Sequence, residues 1–445
     1  MEIGDHKSLI SNLQSLIIAK TTEVLPDVAS PINGSDTAWL LIATALVLMM
    51  TPALGFFYGG MVRAKNALNT LMMSFSALGF VGLTWALFGY SIAFSTGSPL
   101  IGGTSYMFLR NVGLGAQGTI PHVLFFAYQC TFAIITAALI SGAIVERMRF
   151  GPYIAFISVW SLVVYAPIAH WVWGGGWLSS LGVLDFAGGT VVHVNAAAAA
   201  LVCAVVVGSR KDYARQAILP QNVPFTLLGA GLLWLGWFGF NAGSALAANG
   251  IAALAFVNTM LAPIATLVVW TMLDLVRTRK ATAVGAATAI VVGLVAITPA
   301  AGFVSPMSGL IIGAVAAFPS YYALLYRATT RLDDSLDVLA AHGAGGIVGA
   351  LLTGVFASKA WNAGGGDGLL HGNARQLGVQ AIAVLATLAY STVATFVIVK
   401  CIALVMKVRS EPREEGMGMD FTQHGEEAYS RGEGALLLLE RRKGS

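Results

Sequence analysis

Two histidines and one aspartate stand alone in or beside long apolar stretches of this 445-residue sequence. His193 and His342 each lie within a run of apolar and small residues, and Asp185 precedes the first of them across the glycine-rich turn AGGT. Ionisable side chains are expensive inside a membrane, and they usually mark the path of an ion, a proton or a polar solute. We therefore take these three residues as the first candidates for chemistry.

The two histidines admit two interpretations. Each could make only a hydrogen bond between helices, which would give it a purely structural role. Facing imidazoles in a narrow passage without water could instead share a proton and offer a donor or an acceptor to a small solute. Metal binding would need further ligands, and neither a cysteine nor an acidic cluster accompanies either histidine in the sequence, so we expect no metal and no cofactor.

Asp185 also admits two interpretations, and they are compatible. Its carboxylate could cap the start of the following helix by accepting hydrogen bonds from backbone N–H groups. It could also be a fixed negative charge that attracts a cation or helps the cation to lose a proton. Trp173, which precedes Asp185, could belong to an aromatic belt at the membrane surface or hold a cation against its ring.

The elements that must position these residues follow from the composition. Of all residues 57% are hydrophobic and only 10% are charged, whereas a soluble domain has about 25% charged residues. An apolar run of roughly 20 residues can span a bilayer as a helix. The sequence predicts an all-α polytopic membrane protein with eleven transmembrane helices, at about 38–61, 68–94, 121–145, 151–173, 187–208, 223–243, 250–276, 282–300, 306–326, 341–357 and 377–405.

The distribution of lysine and arginine predicts the orientation of these spans. Basic residues follow every odd-numbered span, for example Arg63 and Lys65 after the first, whereas the other connections carry few. Because cytoplasmic loops are enriched in lysine and arginine, we expect the odd-numbered spans to end in the cytoplasm. The chain would then have an extracytoplasmic leader at 1–36, a transmembrane domain at 37–405 and a cytoplasmic tail at 406–445.

Spans one to five resemble spans six to ten, which indicates an internal repeat. GFFYGG in the first span corresponds to GWFGFNAG in the sixth, and His193 in the fifth span corresponds to His342 in the tenth. Since five is odd, the second copy must be inserted in the opposite orientation, as in many transporters. We expect an inverted 5+5 repeat followed by a final helix, with the two histidines meeting near the centre of the membrane.

Aromatic residues of the third and sixth spans are further candidates. Tyr128 and Phe132 lie in the third span, and Trp237 and Phe240 lie in the sixth. Most aromatic residues in such spans face the core or the lipid, but one phenylalanine from each repeat could close a hydrophobic constriction. The pattern alone does not select these two among the 22 phenylalanines.

Five segments of the sequence resemble a known family, the ammonium transporters of the Amt/Mep/Rh type. The segments occur in the family's order and spacing between about residues 37 and 430. Both histidines are present, which is similar to the bacterial and plant branch. The segments are ALGFFYGGMV at 53–62, DFAGGTVVH at 185–193, GWFGFNAGS at 236–244, AHGAGGIVG at 341–349 and GMDFTQHGEEAY at 418–429.

The resemblance implies a role for each candidate residue. It implies an outer ammonium site at Trp173 and Ser244, with Tyr128 at a position where the family usually has phenylalanine. It also implies a homotrimer with one pore in each subunit, and a tail that could dock a PII-type regulatory protein. The remaining implied roles are a stacked gate of Phe132 and Phe240, a pore lined by His193, His342 and Trp237, and an aspartate required for transport, Asp185.

The expected function is therefore transport of ammonium or ammonia, and possible substrates include methylammonium. The main alternative is an ammonium sensor that regulates a signalling partner, although about 40 residues after the last span are too few for a fused signalling domain. A sodium-coupled symporter would need more polar, unwound helix segments near the midplane. An enzyme is not expected, because the sequence shows no nucleophile–base set and no metal cluster.

Overall fold

The computed structural model describes residues 31–429, and nearly all regular structure in this range is helical. Ten of these helices are long and apolar enough to cross a membrane, and a shorter apolar helix stands at the predicted eighth span. The prediction of an all-α polytopic membrane protein is confirmed, while the count of eleven spans stays a prediction because the eighth helix has only 15 residues. The helices are α1 Gly34–Met61, α2 Ala64–Phe94, α3 His122–Ala143, α4 Phe150–Leu181, α5 Gly189–Val207, α6 Val223–Gly243, α7 Gly250–Thr278, α8 Ala283–Ile297, α9 Pro306–Arg327, α10 Leu339–Phe356 and α11 Ala374–Val405.

Smaller elements occupy the connections and the tail. A two-stranded antiparallel hairpin, β1 Ala116–Gln117 and β2 Ile120–Pro121, precedes α3. Two short helices follow α11, namely α12 Pro412–Met417 and α13 Met419–His424. Most of the predicted leader and positions 430–445 of the predicted tail lie outside the described residues.

Side-chain caps and prolines set the starts of several helices. Asn33 caps α1 by accepting hydrogen bonds from the backbone N–H groups of Ser35 and Asp36. Ser305 caps α9 directly before Pro306. A cap satisfies N–H groups that the first helical turn leaves without partners, and a proline at the first position has no N–H to satisfy. Local sequence therefore fixes where these spans begin.

Helices α1 and α6 approach each other closely because α6 carries glycines at the contact. A β-carbon added at Gly229, Gly236 or Gly239 would lie within 2.7 Å of an atom of α1. Small residues allow this approach, and close van der Waals packing drives helix association in lipid. The contact joins corresponding helices of the two predicted repeats.

Buried ion pairs join several connections on one side of the protein. We call this side the tail face and the opposite side the mouth face. The tail face carries the tail and the α1–α2, α3–α4, α5–α6 and α9–α10 connections. Fully buried Glu146 pairs with Arg210 at 2.8 Å and with Arg63 at 3.1 Å, and Arg210 also pairs with Asp333 at 2.7 Å. Burial raises the pKa of Glu146, but the two arginines outweigh it and hold that pKa below its usual value. These pairs link both repeats.

Candidate functional site

Both histidines lie in short π-helical turns at the starts of their helices. His193 belongs to Gly189–Val194 in α5, and His342 belongs to Leu339–Ala344 in α10. A π-turn holds an extra residue compared with an α-helical turn and is frequent at functional sites. The same irregularity at matching positions supports the correspondence of the two repeats.

The two imidazoles face each other inside the protein. Their Nδ1 atoms are 3.3 Å apart, so one Nδ1 carries the shared proton and the other accepts it. Both side chains are buried, and Nε2 of His193 has no hydrogen-bond partner within residues 31–429. Trp237 stacks on His193 with 5.4 Å between ring centroids. The pair therefore has a fixed orientation, and neither Nε2 atom is bound by another group within residues 31–429.

The histidine pair lines a narrow cavity whose other walls are hydrophobic. The cavity volume is about 10 Å³, which is room for about one water-sized molecule. The indole N–H of Trp237 donates to the hydroxyl of Thr298 at 2.9 Å. The remaining lining residues are Met50, Leu54, Phe57, Ile135, Leu139, Val192, Leu233, Phe240 and Val291. The two histidines are the only ionisable residues in the described lining of this cavity.

Phe132 and Phe240 lie between this cavity and the mouth face with their rings stacked. The ring centroids are 4.1 Å apart and the planes differ by 19°. The ring of Phe240 is 6.2 Å from that of His193, and Phe132 contacts Tyr128 and Trp173 edge to face on its other side. The stacked rings thus separate an aromatic group near the mouth from the histidines.

Tyr128 and Ser244 place two hydroxyl groups beside the stacked rings. The two hydroxyl oxygens are 3.3 Å apart. Ser244 donates to the carbonyl oxygen of Phe240 at 2.8 Å, and the hydroxyl of Tyr128 lies 2.9 Å from the carbonyl oxygens of Gly239 and Phe240. Because each hydroxyl proton has a backbone carbonyl as its acceptor, the oxygen lone pairs can accept a hydrogen bond from an N–H donor.

Asp185 caps the start of α5. Its Oδ1 accepts the N–H groups of Gly188 and Gly189, and its Oδ2 accepts the N–H groups of Thr190 and Val191 and the hydroxyl of Thr190. Five donors occupy a buried carboxylate that offers about four lone-pair positions. The positive end of the helix stabilises the same charge. Asp185 can therefore influence a passing cation by its charge but not by direct contact.

The loop before α5 also orients the tryptophan at the mouth. The indole N–H of Trp173 donates to the backbone oxygen of Asp185 at 2.8 Å. Gly188 has a φ of +114°, and a β-carbon there would lie 2.5 Å from Val192. Only glycine allows this conformation and this approach, which is the structural reason for the AGGT turn in the sequence.

The structure brings the residues singled out in the sequence into one continuous series of contacts. Sequence reasoning missed Thr190 and Thr298, which orient Asp185 and Trp237, and no local pattern marks them. It also missed the part of the cavity wall that α1 contributes, although the GFFYGG motif was a signal for it. In order from the mouth face, the series is Trp173, Tyr128 and Ser244, then Phe132 and Phe240, then His193 with Trp237 and His342, and Asp185 lies beside Trp173.

Comparisons with known proteins identify the family that this chain matches. Residues 38–429 match the Ammonium Transporter Family. The chain is similar to an ammonium transporter of Bacillus subtilis (strain 168), with 46% identity over 398 residues, 88% of this chain and 98% of that protein. It is also similar to a solved structure of Saccharomyces cerevisiae Mep2, with 34% identity, a TM-score of 0.82 and coverage of 87% of this chain and 90% of that chain.

A second solved structure, titled Sensor Amt Protein, is also similar. Its identity is 30% and its TM-score is 0.81, over 88% of this chain and 98% of that chain. The relatives named as ammonium transporters are transporters and not enzymes. The family match covers most of the chain and nearly all of the described residues. This multi-pass membrane protein therefore belongs to the ammonium transporter family.

Proposed function

We propose that this protein carries ammonium nitrogen across the cytoplasmic membrane by binding ammonium at the mouth face and passing neutral ammonia along the histidine-lined cavity. The observation that carries this proposal is the cavity itself. Its volume is about 10 Å³, and within residues 31–429 the paired histidines are the only ionisable residues in its lining. A small neutral molecule that both donates and accepts hydrogen bonds fits such a cavity.

The energetics favour loss of a proton before the stacked rings. Moving a bare monovalent ion from water into an apolar interior costs several kcal/mol even after relaxation, and a neutral polar group costs far less. Ammonium and potassium have similar sizes, so a size filter cannot separate them. Ammonium can donate hydrogen bonds and can lose a proton, whereas potassium can do neither.

Each mouth residue has a role in this scheme. The hydroxyls of Ser244 and Tyr128 accept N–H groups of ammonium, and the ring of Trp173 faces its charge. Asp185 stabilises the cation near the mouth through its charge and orients Trp173 through its backbone oxygen. The proton then passes from ammonium to water on the mouth side of Phe132 and Phe240, because the cation is not solvated beyond these rings.

Beyond the stacked rings, hydrogen bonds to the histidines replace those that ammonia made with water. The unpartnered Nε2 of His193 accepts from or donates to ammonia according to the position of the proton shared with His342. The mouth face is the extracytoplasmic side and the tail face is cytoplasmic, as the distribution of basic residues predicts. The chain assembles as a homotrimer, and a PII-type protein binds at the tail face.

Transport by the reconstituted protein tests this proposal. Proteoliposomes that contain the protein should show saturable methylammonium uptake that ammonium inhibits and potassium does not. The protein should also restore growth of a transporter-deficient host at low ammonium. Without growth, and with the protein confirmed in the membrane, the sensor function would be favoured, consistent with the similarity to the structure titled Sensor Amt Protein.

A further inference from the structure

Three consecutive residues of the loop before α5 are held by three different elements. The backbone N–H and C=O of Leu184 bind the side chain of Gln380 in α11. The backbone oxygen of Asp185 accepts from Trp173, and the N–H of Phe186 donates to the carbonyl of Pro299. Backbone anchors at three successive residues hold the side chains of this stretch in one place, which a binding site requires.

Every hydrogen-bonding position of the Gln380 side-chain amide is occupied. Its Oε1 accepts from the N–H of Leu184 at 2.9 Å and from the side chain of Gln376 at 3.3 Å. Its Nε2 donates to the carbonyl oxygens of Leu184 at 2.7 Å and Ala350 at 3.1 Å. The side chain is fully buried. An amide has two donors and two lone pairs, so these four contacts satisfy it and fix its plane.

Gln376 extends the same arrangement by one helical turn. Its Nε2 donates to the carbonyl oxygen of Gly182 at 2.9 Å as well as to Gln380. Residues four apart lie on the same face of a helix, so the two glutamines present a polar strip of α11 to the loop. This strip is hydrogen-bonded to the backbone of Gly182 and Leu184, immediately before Asp185.

We propose that Gln380, supported by Gln376, is a positioning residue that sets the orientation of Trp173 and the place of Asp185, and thereby the affinity of the mouth for ammonium. The path of this effect is short. Gln380 fixes Leu184, the next backbone oxygen holds the indole N–H of Trp173, and the Trp173 ring contacts Phe132 with 5.9 Å between centroids. This inference rests on the function proposed above.

The proposal gives α11 a part in recognition although it lies outside the predicted repeat. The same amide binds the carbonyl oxygen of Ala350 in α10, the helix that carries His342. One side chain thus connects the loop at the mouth to the helix of the second histidine. Neither the repeat nor the pore lining marks Gln380, because it touches neither the cavity nor the solute path.

Transport kinetics of Gln380→Leu test the proposal. The half-saturation concentration for ammonium should rise at least tenfold, because a displaced Trp173 weakens binding at the mouth. A purely structural role would lower the maximal rate by reducing the number of folded copies, but it would leave the half-saturation concentration unchanged. Gln380→Glu keeps the acceptor for Leu184 but loses both donors, so it should also raise this concentration.

Two further variants keep the test decisive. Thr395→Val is the matched control, since Thr395 is a buried residue of the same helix whose hydroxyl binds only within the scaffold, to Trp160; its half-saturation concentration should equal that of the wild type. Gln376→Leu removes only the hydrogen bonds to Gly182 and Gln380 and should raise the half-saturation concentration about threefold. This variant decides the question if Gln380→Leu does not fold. If the half-saturation concentration is unchanged in both glutamine variants, the inference about Gln380 is wrong while the proposed function is unaffected. Absence of saturable transport in the wild-type protein would instead overturn the proposed function.

Discussion

Replacing Asp185 by asparagine should weaken the start of α5 and reduce transport. An asparagine has one acceptor oxygen, so either orientation of its amide leaves two backbone N–H groups without an acceptor: those of Gly188 and Gly189, or those of Thr190 and Val191. Each buried, unsatisfied N–H costs about 1–3 kcal/mol. The loss of charge at the helix start adds about 0.3–1 kcal/mol. We therefore expect destabilisation of about 2–7 kcal/mol.

Thermal unfolding in detergent and uptake in proteoliposomes measure the two effects separately. The apparent melting temperature of Asp185→Asn should fall by several degrees, and uptake per folded protein should fall about tenfold or more, which corresponds to about 1.4 kcal/mol in the barrier. Asp185→Ala should be at least as impaired. Thr190→Val is the matched control, because it removes one hydroxyl donor and leaves four N–H bonds to the carboxylate in place. Wild-type melting and uptake in Asp185→Asn would refute both the capping argument and the proposed role of the charge.

Further predictions concern the gate and the tail face. In Phe132→Ala the loss of a stacked, buried ring should lower the free energy of unfolding by about 3–5 kcal/mol. The same variant should raise methylammonium uptake relative to ammonium uptake. An unchanged ratio of the two uptakes would show that the rings do not select by size. Glu146→Gln removes a charged partner from both Arg210 and Arg63 and should cost about 3–5 kcal/mol. Loss of the exposed Lys407–Glu411 pair through Lys407→Ala should leave the melting temperature unchanged. Because the folded-state pKa of Glu146 is depressed, its contribution is fully present above about pH 4.3 and is lost as the pH falls further, so melting curves of wild type and Glu146→Gln should converge in acid.

The lengths and positions of the apolar runs were sufficient to predict most helices within a few residues. The last span was expected at 377–405, and α11 runs over Ala374–Val405. The second was expected at 68–94, and α2 runs over Ala64–Phe94. Apolar length dominates the energetics of a membrane helix, which is a property that local sequence carries. The fourth span is the exception, since it was expected at 151–173 and α4 runs over Phe150–Leu181.

The detailed chemistry of the site was less accessible to sequence reasoning. The pairing of the two histidines was expected from the repeat, and the structure places their Nδ1 atoms 3.3 Å apart. By contrast, nothing in the sequence distinguishes Gln380 from other polar residues of an apolar span. Its role depends on Leu184, which is 196 positions away in the chain, and such a contact exists only once the tertiary arrangement is known. The partners of the Tyr128 hydroxyl were inaccessible for the same reason.

The π-turns that carry His193 and His342 have a consequence for helix register. Each turn contains one residue more than an α-helical turn, and one residue corresponds to a rotation of about 100° around the helix axis. Deleting one residue from Gly189–Val194 would let α5 continue as a regular helix and would shift the imidazole relative to the cap at Asp185. The helix and its length would survive, but the histidine would point away from its partner. Single-residue deletions are therefore a more severe test of this pathway than most substitutions, since they change the direction of a side chain without changing its chemistry.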